Sequence, residues 1–199
     1  MEDLKNKILK NLKKGKIQQP IYVPEINLEI EKENYLKRLY MTKKLEFLKG
    51  EDVLDIGCNF GMNSFMIFEL FGSNIVSIDI DREAIKGAKT IKKIKENNIK
   101  YKIKFKVCNF IFYPWYFRHK YIFFSHMVDS FRSLEKILKK IIRRGFKGFF
   151  IVKYSYDFYY KNEERILKFR ELEFNKTVEK YDPKIYDEFL VIDSKKIKE

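Results

Sequence analysis

After Gly50, short apolar runs alternate with longer amphipathic runs along most of the chain. A short run rich in β-branched and aromatic residues is typical of a buried strand, whereas apolar residues spaced three and four apart are typical of a helix packed on one face. The pattern predicts strands at Val53–Ile56, Ile75–Ile78, Ile103–Val107, Tyr121–Phe124 and Phe149–Val152, and helices at Met62–Phe71, Arg82–Asn97 and Phe131–Arg144. Because strands that alternate with helices form a mainly parallel sheet covered on both faces, we expect a three-layer α/β/α fold.

The C-terminal part departs from this alternation. A predicted helix at Lys161–Arg170 is followed by two strand-like runs, Glu173–Tyr181 and Glu188–Ile192, with no helix between them. Two strands joined in this way pair antiparallel. We therefore expect a sheet of seven strands that is mostly parallel and whose last strand is antiparallel.

The N-terminal part is basic and irregular. Residues 4–14 have helical spacing, and Pro20 and Pro24 predict an extended arm because proline restricts its own backbone and that of the preceding residue. Another helix is predicted from Glu31 to Lys49, ending at Gly50. We divide the chain into a basic helix and arm, residues 1–34, and one ligand-binding domain, residues 35–199.

A loop with two glycines follows the first predicted strand. It reads Gly57-Cys58-Asn59-Phe60-Gly61 and leads into a helix, which is where parallel sheets bind ligands. The glycines let the backbone approach a ligand, and the N–H groups at a helix start favour a carboxylate or phosphate. Asp79 ends the second strand, where a carboxylate can accept both hydroxyl hydrogens of a ribose. The sequence therefore predicts a ligand that contains adenosine.

These residues resemble the first two motifs of the class I S-adenosylmethionine-dependent methyltransferases, over about Leu45 to Val152. The resemblance implies a Rossmann-like fold, S-adenosylmethionine as cofactor, and methyltransferase activity. The cofactor-binding positions that it implies are Asp55, Gly57, Asn59, Gly61, Asp79, Ile80, Asn109 and Ser125. The first motif of the family has a glycine where this chain has Asn59, a residue that also tolerates positive φ. A dinucleotide-binding protein is the main alternative, but its Gly-x-Gly-x-x-Gly spacing is absent.

The acceptor site is expected at the ends of the fourth and fifth strands. The C-terminal half resembles the RNA ribose 2′-O-methyltransferases related to the bacterial heat-shock rRNA enzyme, although the first motif lacks the Ala-Pro-Gly-Gly pattern of that group. This resemblance implies catalytic roles for Lys153 and Glu188, with Asp129 after the fourth strand and Lys44 as a further lysine. A lysine whose pKa is lowered by desolvation and neighbouring cations takes a proton from the ribose hydroxyl. The alternative base is His126, which suits a hydroxyl group of a small molecule.

The composition bears on the partner. The chain carries 42 Lys and Arg against 28 Asp and Glu, a net charge of +14, which attracts a polyanion such as RNA. A low-GC genome or adaptation to heat gives the same excess of lysine. Aromatic runs at Phe110–Phe117 and Tyr154–Tyr160 either stack on bases or a planar small molecule, or cover a sheet edge or an oligomer interface.

From these patterns we expect an RNA acceptor. A small-molecule O- or N-methyltransferase and a non-catalytic RNA- or protein-binding member of the fold are the alternatives. No apolar run is long enough to span a membrane, and the two cysteines, Cys58 and Cys108, have no zinc-site spacing. We therefore expect a cytoplasmic protein with no metal site and no membrane partner.

Overall fold

The computed structural model describes residues 2–14, 20–96, 100–124, 131–153, 175–186 and 189–197. The strands are β1 (Ile21–Val23), β2 (Leu28–Ile30), β3 (Asp52–Ile56), β4 (Asn74–Asp79), β5 (Ile103–Val107), β6 (Tyr121–Phe124), β7 (Phe149–Lys153), β8 (Lys184–Tyr186) and β9 (Phe189–Asp193). The helices are α1 (Glu2–Lys14), α2 (Lys32–Thr42), α3 (Met62–Phe71), α4 (Arg82–Lys95), α5 (Phe131–Ile142) and α6 (residues 175–181).

Seven strands form one sheet in the order β5-β4-β3-β6-β7-β9-β8. The first five strands in this order are parallel, and β9 is antiparallel to both β7 and β8. This arrangement confirms the predicted fold class, including the antiparallel last strand. The order reverses at β3, so the crevice at the carboxyl ends of β3 and β6 is the position where such sheets bind ligands.

Burial follows position in the sheet. All four residues of the central strand β6 are buried, whereas buried and exposed residues alternate at the start of the edge strand β5. Two apolar clusters lie on opposite faces: α3 and α4 contribute to one, and α5 and α6 to the other. Burial of both faces explains why the central strands read as continuous apolar runs.

The N-terminal residues pack against the same core. Helix α1 lies on α4 with Ile8 fully buried, and β1 and β2 form an antiparallel hairpin that buries Ile21 and Val23. The predicted helix is confirmed, but the arm is a paired strand rather than a single extended segment, because Leu28–Ile30 supplies a partner. The boundary at residue 35 stays a prediction.

Two sequence predictions are wrong in their elements. The run Glu173–Tyr181, predicted as a strand, is helical from residue 175, and the hairpin partner of β9 is instead Lys184–Tyr186. Thr177 and Tyr181 lie four residues apart and are both buried, so one helix face is covered by the core. The helix predicted at 31–49 ends at Thr42, and a 3-10 turn at Glu46–Leu48 follows.

The predicted helix Lys161–Arg170 lies outside the described residues. In the ranges given above, none of the helices is long and apolar enough to cross a membrane.

Candidate cofactor site

The loop between β3 and α3 folds over the carboxyl end of β4. Gly57, Asn59 and Gly61 have φ angles of 72°, 49° and 81°, in the left-handed region that glycine and asparagine tolerate. The amides of Gly57 and Cys58 both donate to the carbonyl oxygen of Ile78, at 2.9 and 3.2 Å. Asn59 therefore replaces the glycine of the family motif without disturbing the turn.

Asp79 fixes this loop from the end of β4. One carboxylate oxygen accepts a hydrogen bond from the Asn59 amide at 2.8 Å, and the other accepts from the Asp81 amide at 2.9 Å. A carboxylate has about four acceptor positions, so capacity for the two hydroxyl groups of a ribose remains. These remaining acceptor positions fit the ribose hydroxyl groups in the adenosine part of the predicted cofactor.

The sequence predicts that residues beside Asp79 complete the adenosine side of the site. Ile80 is 72% exposed, so its aliphatic side chain is accessible to an apolar ring face of a ligand. The carbonyl oxygen of Asp79 accepts from Cys108 at 2.8 Å, which brings Asn109 to the same edge of the sheet. The Asn109 side-chain oxygen accepts from the Ile111 amide at 2.9 Å and keeps a second lone pair.

Asp55 lies beneath the loop rather than on its surface. It is fully buried, and its carboxylate accepts a hydrogen bond from the Ser64 hydroxyl at 2.5 Å. The Ser64 hydroxyl also lies 2.8 Å from that of Ser77. Asp55 therefore connects β3 with α3 and β4 from inside. The sequence analysis does not identify either serine, although Asn63 and Ser64 stand out as polar residues at the start of an otherwise largely apolar helix.

Two glycines permit close packing around the loop. A Cβ atom on Gly61 would lie 2.6 Å from the Phe105 ring, and a Cβ atom on Gly87 would lie 2.2 Å from the ring of Phe60. Gly87 therefore lets α4 approach the loop residue Phe60. The sequence signal was a glycine inside an amphipathic helix, where it costs about 1 kcal/mol relative to alanine.

Helix α3 starts directly after this loop. It begins at Met62 after Gly61, with no hydrogen bond from a capping side chain. The positive end of a helix dipole favours an anionic group. The carboxylate of the methionine part of the cofactor would meet this helix end.

The structure describes only some of the residues that were predicted to form the acceptor site. Ser125, His126, Asp129 and Glu188 lie outside the described residues. Lys153 is the last residue of β7, and its backbone pairs with Phe189 at the start of β9, so both strands meet at the carboxyl edge. The side chain of Lys153 is also outside the described part.

Lys44 precedes β3 and lies against an exposed aromatic ring. Its ammonium group is 5.4 Å from the centre of the Tyr40 ring. The catalytic roles of Lys44, Lys153, Glu188, Asp129 and His126 stay predictions.

Solved structures with a similar fold include proteins assigned as methyltransferases. A protein from Methanococcus maripaludis assigned as an S-adenosyl-L-methionine-dependent methyltransferase superimposes with a TM-score of 0.55 at 12% identity, covering 81% of this chain and 87% of that one. A protein from Galdieria sulphuraria assigned as a sarcosine dimethylglycine methyltransferase gives 0.51 at 14% identity, covering 76% and 59%. The PH0226 protein of Pyrococcus horikoshii gives 0.48 at 27% identity, covering 60% and 57%. At 12% and 14% identity, the likeness to the Methanococcus and Galdieria proteins shows the fold alone.

This chain thus spans less than two thirds of the lengths of the Galdieria and Pyrococcus proteins. No curated protein sequence matches it. The model of a family described as a methyltransferase domain matches residues 47–193, a range that includes all seven strands of the sheet. This chain belongs to the methyltransferase domain family and has the class I fold, whose cofactor is S-adenosylmethionine.

Proposed function

We propose that the chain transfers the methyl group of S-adenosylmethionine to an acceptor in RNA. The observation that carries the methyl-transfer part is the position of Asp79, whose two carboxylate oxygens are held by the amides of Asn59 and Asp81. A carboxylate fixed in this way is pre-organised to hold the cofactor ribose, so little ordering is left for the moment of binding.

The bound cofactor would supply an electrophilic methyl group on a sulfonium sulfur. The residues of the chain contribute mainly position, because an in-line displacement gains rate when both partners are held in line. Asp79 would accept hydrogen bonds from the ribose, and Ile80 would cover one face of the adenine. The start of α3 would meet the carboxylate of the methionine part.

The acceptor is proposed from charge. The net charge of +14 and the isoelectric point of about 9.5 favour a polyanion over a small metabolite. For a ribose hydroxyl, Lys153 would act as the base, at the edge where β7 and β9 meet. That role depends on the RNA proposal and is tested after it.

The experiment measures transfer of radiolabelled methyl from S-adenosylmethionine into an extract of cells that lack the protein. Aliquots are treated with nuclease or protease, and Asp79→Ala serves as the variant without the cofactor contact. We expect label that depends on Asp79 and is lost on nuclease treatment.

Two outcomes would overturn the proposal in different ways. Label that survives both treatments would identify a small-molecule acceptor and direct attention to His126. An absence of transfer, with cofactor binding intact by calorimetry, would identify a non-catalytic member of the fold.

A further inference from the structure

One stretch of the chain contains basic residues and no acidic ones. Residues 97–128 contain no Asp or Glu, and they carry the basic residues Lys100, Lys102, Lys104, Lys106, Arg118 and Lys120. This stretch includes β5, the strand at one edge of the sheet. The charged residues of this segment are therefore all of one sign, beyond the general excess of lysine in the chain.

The lysines of β5 point away from the core. Ile103 and Phe105 are buried, whereas Lys104 and Lys106 are exposed. Because alternate residues of a strand lie on the same face, the two lysines form a row with a spacing of about 6.6 Å. Such a row of ammonium groups suits a chain of phosphates.

Exposed aromatic rings lie beside this row. Trp115 and Phe117 are 40% and 60% exposed, in the connection between β5 and β6. The segment that carries them is anchored by Tyr113, whose hydroxyl lies 2.8 Å from His119 Nε2, and by Tyr116, whose hydroxyl donates to the carbonyl oxygen of Phe110. The rings are thus held at the surface by buried neighbours, which is characteristic of an interaction site.

Cations and rings form one surface. The Lys106 ammonium group is 4.9 Å from the centre of the Trp115 ring, and the Arg118 guanidinium is 5.9 Å from Trp115 and 5.7 Å from Phe117. We call the surface formed by Lys104, Lys106, Trp115, Phe117 and Arg118 the edge patch. Basic side chains that follow a phosphate backbone, together with aromatic rings on which bases stack, are the combination that binds single-stranded nucleic acid.

We propose that the edge patch binds single-stranded RNA, with its phosphates on Lys104, Lys106 and Arg118 and its bases stacked on Trp115 and Phe117. This inference rests on the proposed RNA acceptor and extends it, because the patch lies on β5, at the sheet edge beyond the adenosine side. The patch would hold the RNA at a distance from the reacting atoms.

The chain contains its own probe for this proposal, because Trp115 is its one tryptophan. A single-stranded oligouridylate of about 12 nucleotides is titrated while tryptophan emission is recorded, with polyglutamate as a polyanion that lacks bases. We expect the oligouridylate to quench Trp115 and polyglutamate to leave its emission unchanged. Unchanged emission with the RNA, or equal affinity for polyglutamate, would overturn the proposal, the latter in favour of an acidic protein surface.

Variants then separate stacking from charge. The double variant Trp115→Leu, Phe117→Leu retains apolar packing and the full net charge, and we expect it to bind a fluorescein-labelled oligouridylate at least about tenfold more weakly. Cofactor affinity and circular dichroism are measured alongside to confirm folding. If the folded variant binds RNA as tightly as the parent, the patch is not the site.

A matched pair of charge variants provides the control. Lys104→Gln, Lys106→Gln removes two charges from the patch, and Lys136→Gln, Lys140→Gln removes two from exposed positions on α5. We expect the patch pair to weaken RNA binding more than the α5 pair. Equal losses of RNA affinity in the two pairs would show that RNA binds elsewhere, and the proposed RNA methylation would still stand. If RNA binds at the patch but the transferred label resists nuclease, the proposed function is refuted and the RNA-binding patch is not.

Discussion

At the scale of single residues, Asp79 has two tasks: it holds the loop after β3 through the Asn59 amide, and we predict that it accepts hydrogen bonds from the cofactor ribose. Its position at the end of an apolar strand predicted a ribose contact, but nothing in the sequence indicated that the Asn59 amide would donate to it. That hydrogen bond spans 20 residues and exists because β3 and β4 are neighbours in the sheet. A contact of this kind depends on topology and cannot be deduced from a local motif.

Replacement of Asp79 tests both tasks. We expect Asp79→Ala to raise the Kd for S-adenosylmethionine about 100-fold. The variant would lose the two hydrogen bonds that the ribose hydroxyl groups donate to the carboxylate, and the loop would lose its support. Isothermal titration calorimetry provides the measurement. Asp81→Asn is the control, because it removes a neighbouring charge and keeps an oxygen that can cap α4. Equal effects of the two variants would contradict the assignment.

His119 makes stability depend on pH. Burial lowers its pKa to about 4, with Asp52 opposing and Lys106 and Arg118 adding to the shift. An unfolded histidine titrates near 6.5, so as the pH falls from about 6.5 towards 4 the unfolded chain takes up a proton first. The free energy of unfolding therefore falls with the pH in this window, and the contribution of His119 is fully present above it.

The variant His119→Gln removes this titration and keeps a hydrogen-bonding partner for Tyr113. Urea unfolding at pH 7 and pH 5 is compared for the two proteins. We expect the parent to lose more stability over this interval than the variant, since carboxylates titrate equally in both. Identical losses would show that the pKa of His119 in the folded protein is not lowered from its unfolded value.

At the scale of elements, α4 can contact the cofactor loop, residues 57–61, because Gly87 has no side chain. An alanine at Gly87 should favour the helix by about 1 kcal/mol, but its Cβ atom would lie 2.2 Å from the fully buried ring of Phe60. We expect Gly87→Ala to destabilise the protein by about 1–3 kcal/mol and to weaken cofactor binding. Urea unfolding and calorimetry measure the two effects.

A second substitution checks the cause. Phe60→Leu should be harmful alone but should recover part of the lost stability in combination with Gly87→Ala, because the smaller side chain leaves room for the methyl group. A stabilising effect of Gly87→Ala would mean that the helix and the loop are further apart than the structure has them.

Elements also differ in how well the sequence predicts them. The buried strands of the parallel part were recognisable because both faces are covered and their apolar runs are unbroken. Residues 173–181 contain Thr177, Val178 and Tyr181, which are residue types that favour strands. However, Thr177 and Tyr181 lie four residues apart, a spacing that places both on one face of a helix. For a short segment, packing against the existing sheet decides between the two.

At the scale of the whole molecule, the N-terminal residues and the sheet are joined by a cluster around Lys95. Its ammonium group is 2.9 Å from Glu69 of α3 and 3.5 Å from Glu25 in the turn of the β1–β2 hairpin, and the Tyr101 hydroxyl donates to Glu69 at 2.9 Å. The Lys95 side chain is only 6% exposed. The cluster therefore couples the hairpin to two helices of the domain.

We expect Lys95→Met to lower the free energy of unfolding by about 1–3 kcal/mol and to increase hydrogen exchange in the β1–β2 hairpin more than in β3. The control, Lys86→Met, breaks an exposed pair with Glu83 and should cost less than about 0.5 kcal/mol. Equal exchange rates in the hairpin of both variants would show that the N-terminal residues are held by apolar contacts alone.

The place of β9 has a consequence for synthesis. Strand β9, which follows β7 and β8 in the chain, lies between them in the sheet rather than at its edge. During translation the half that carries the cofactor loop and Asp79 can pair as it emerges, but β7 keeps an unpaired edge until Asp193 has left the ribosome. The nascent protein can therefore acquire its cofactor site before its sheet is complete, and aggregation through β7 is the hazard it faces in that interval.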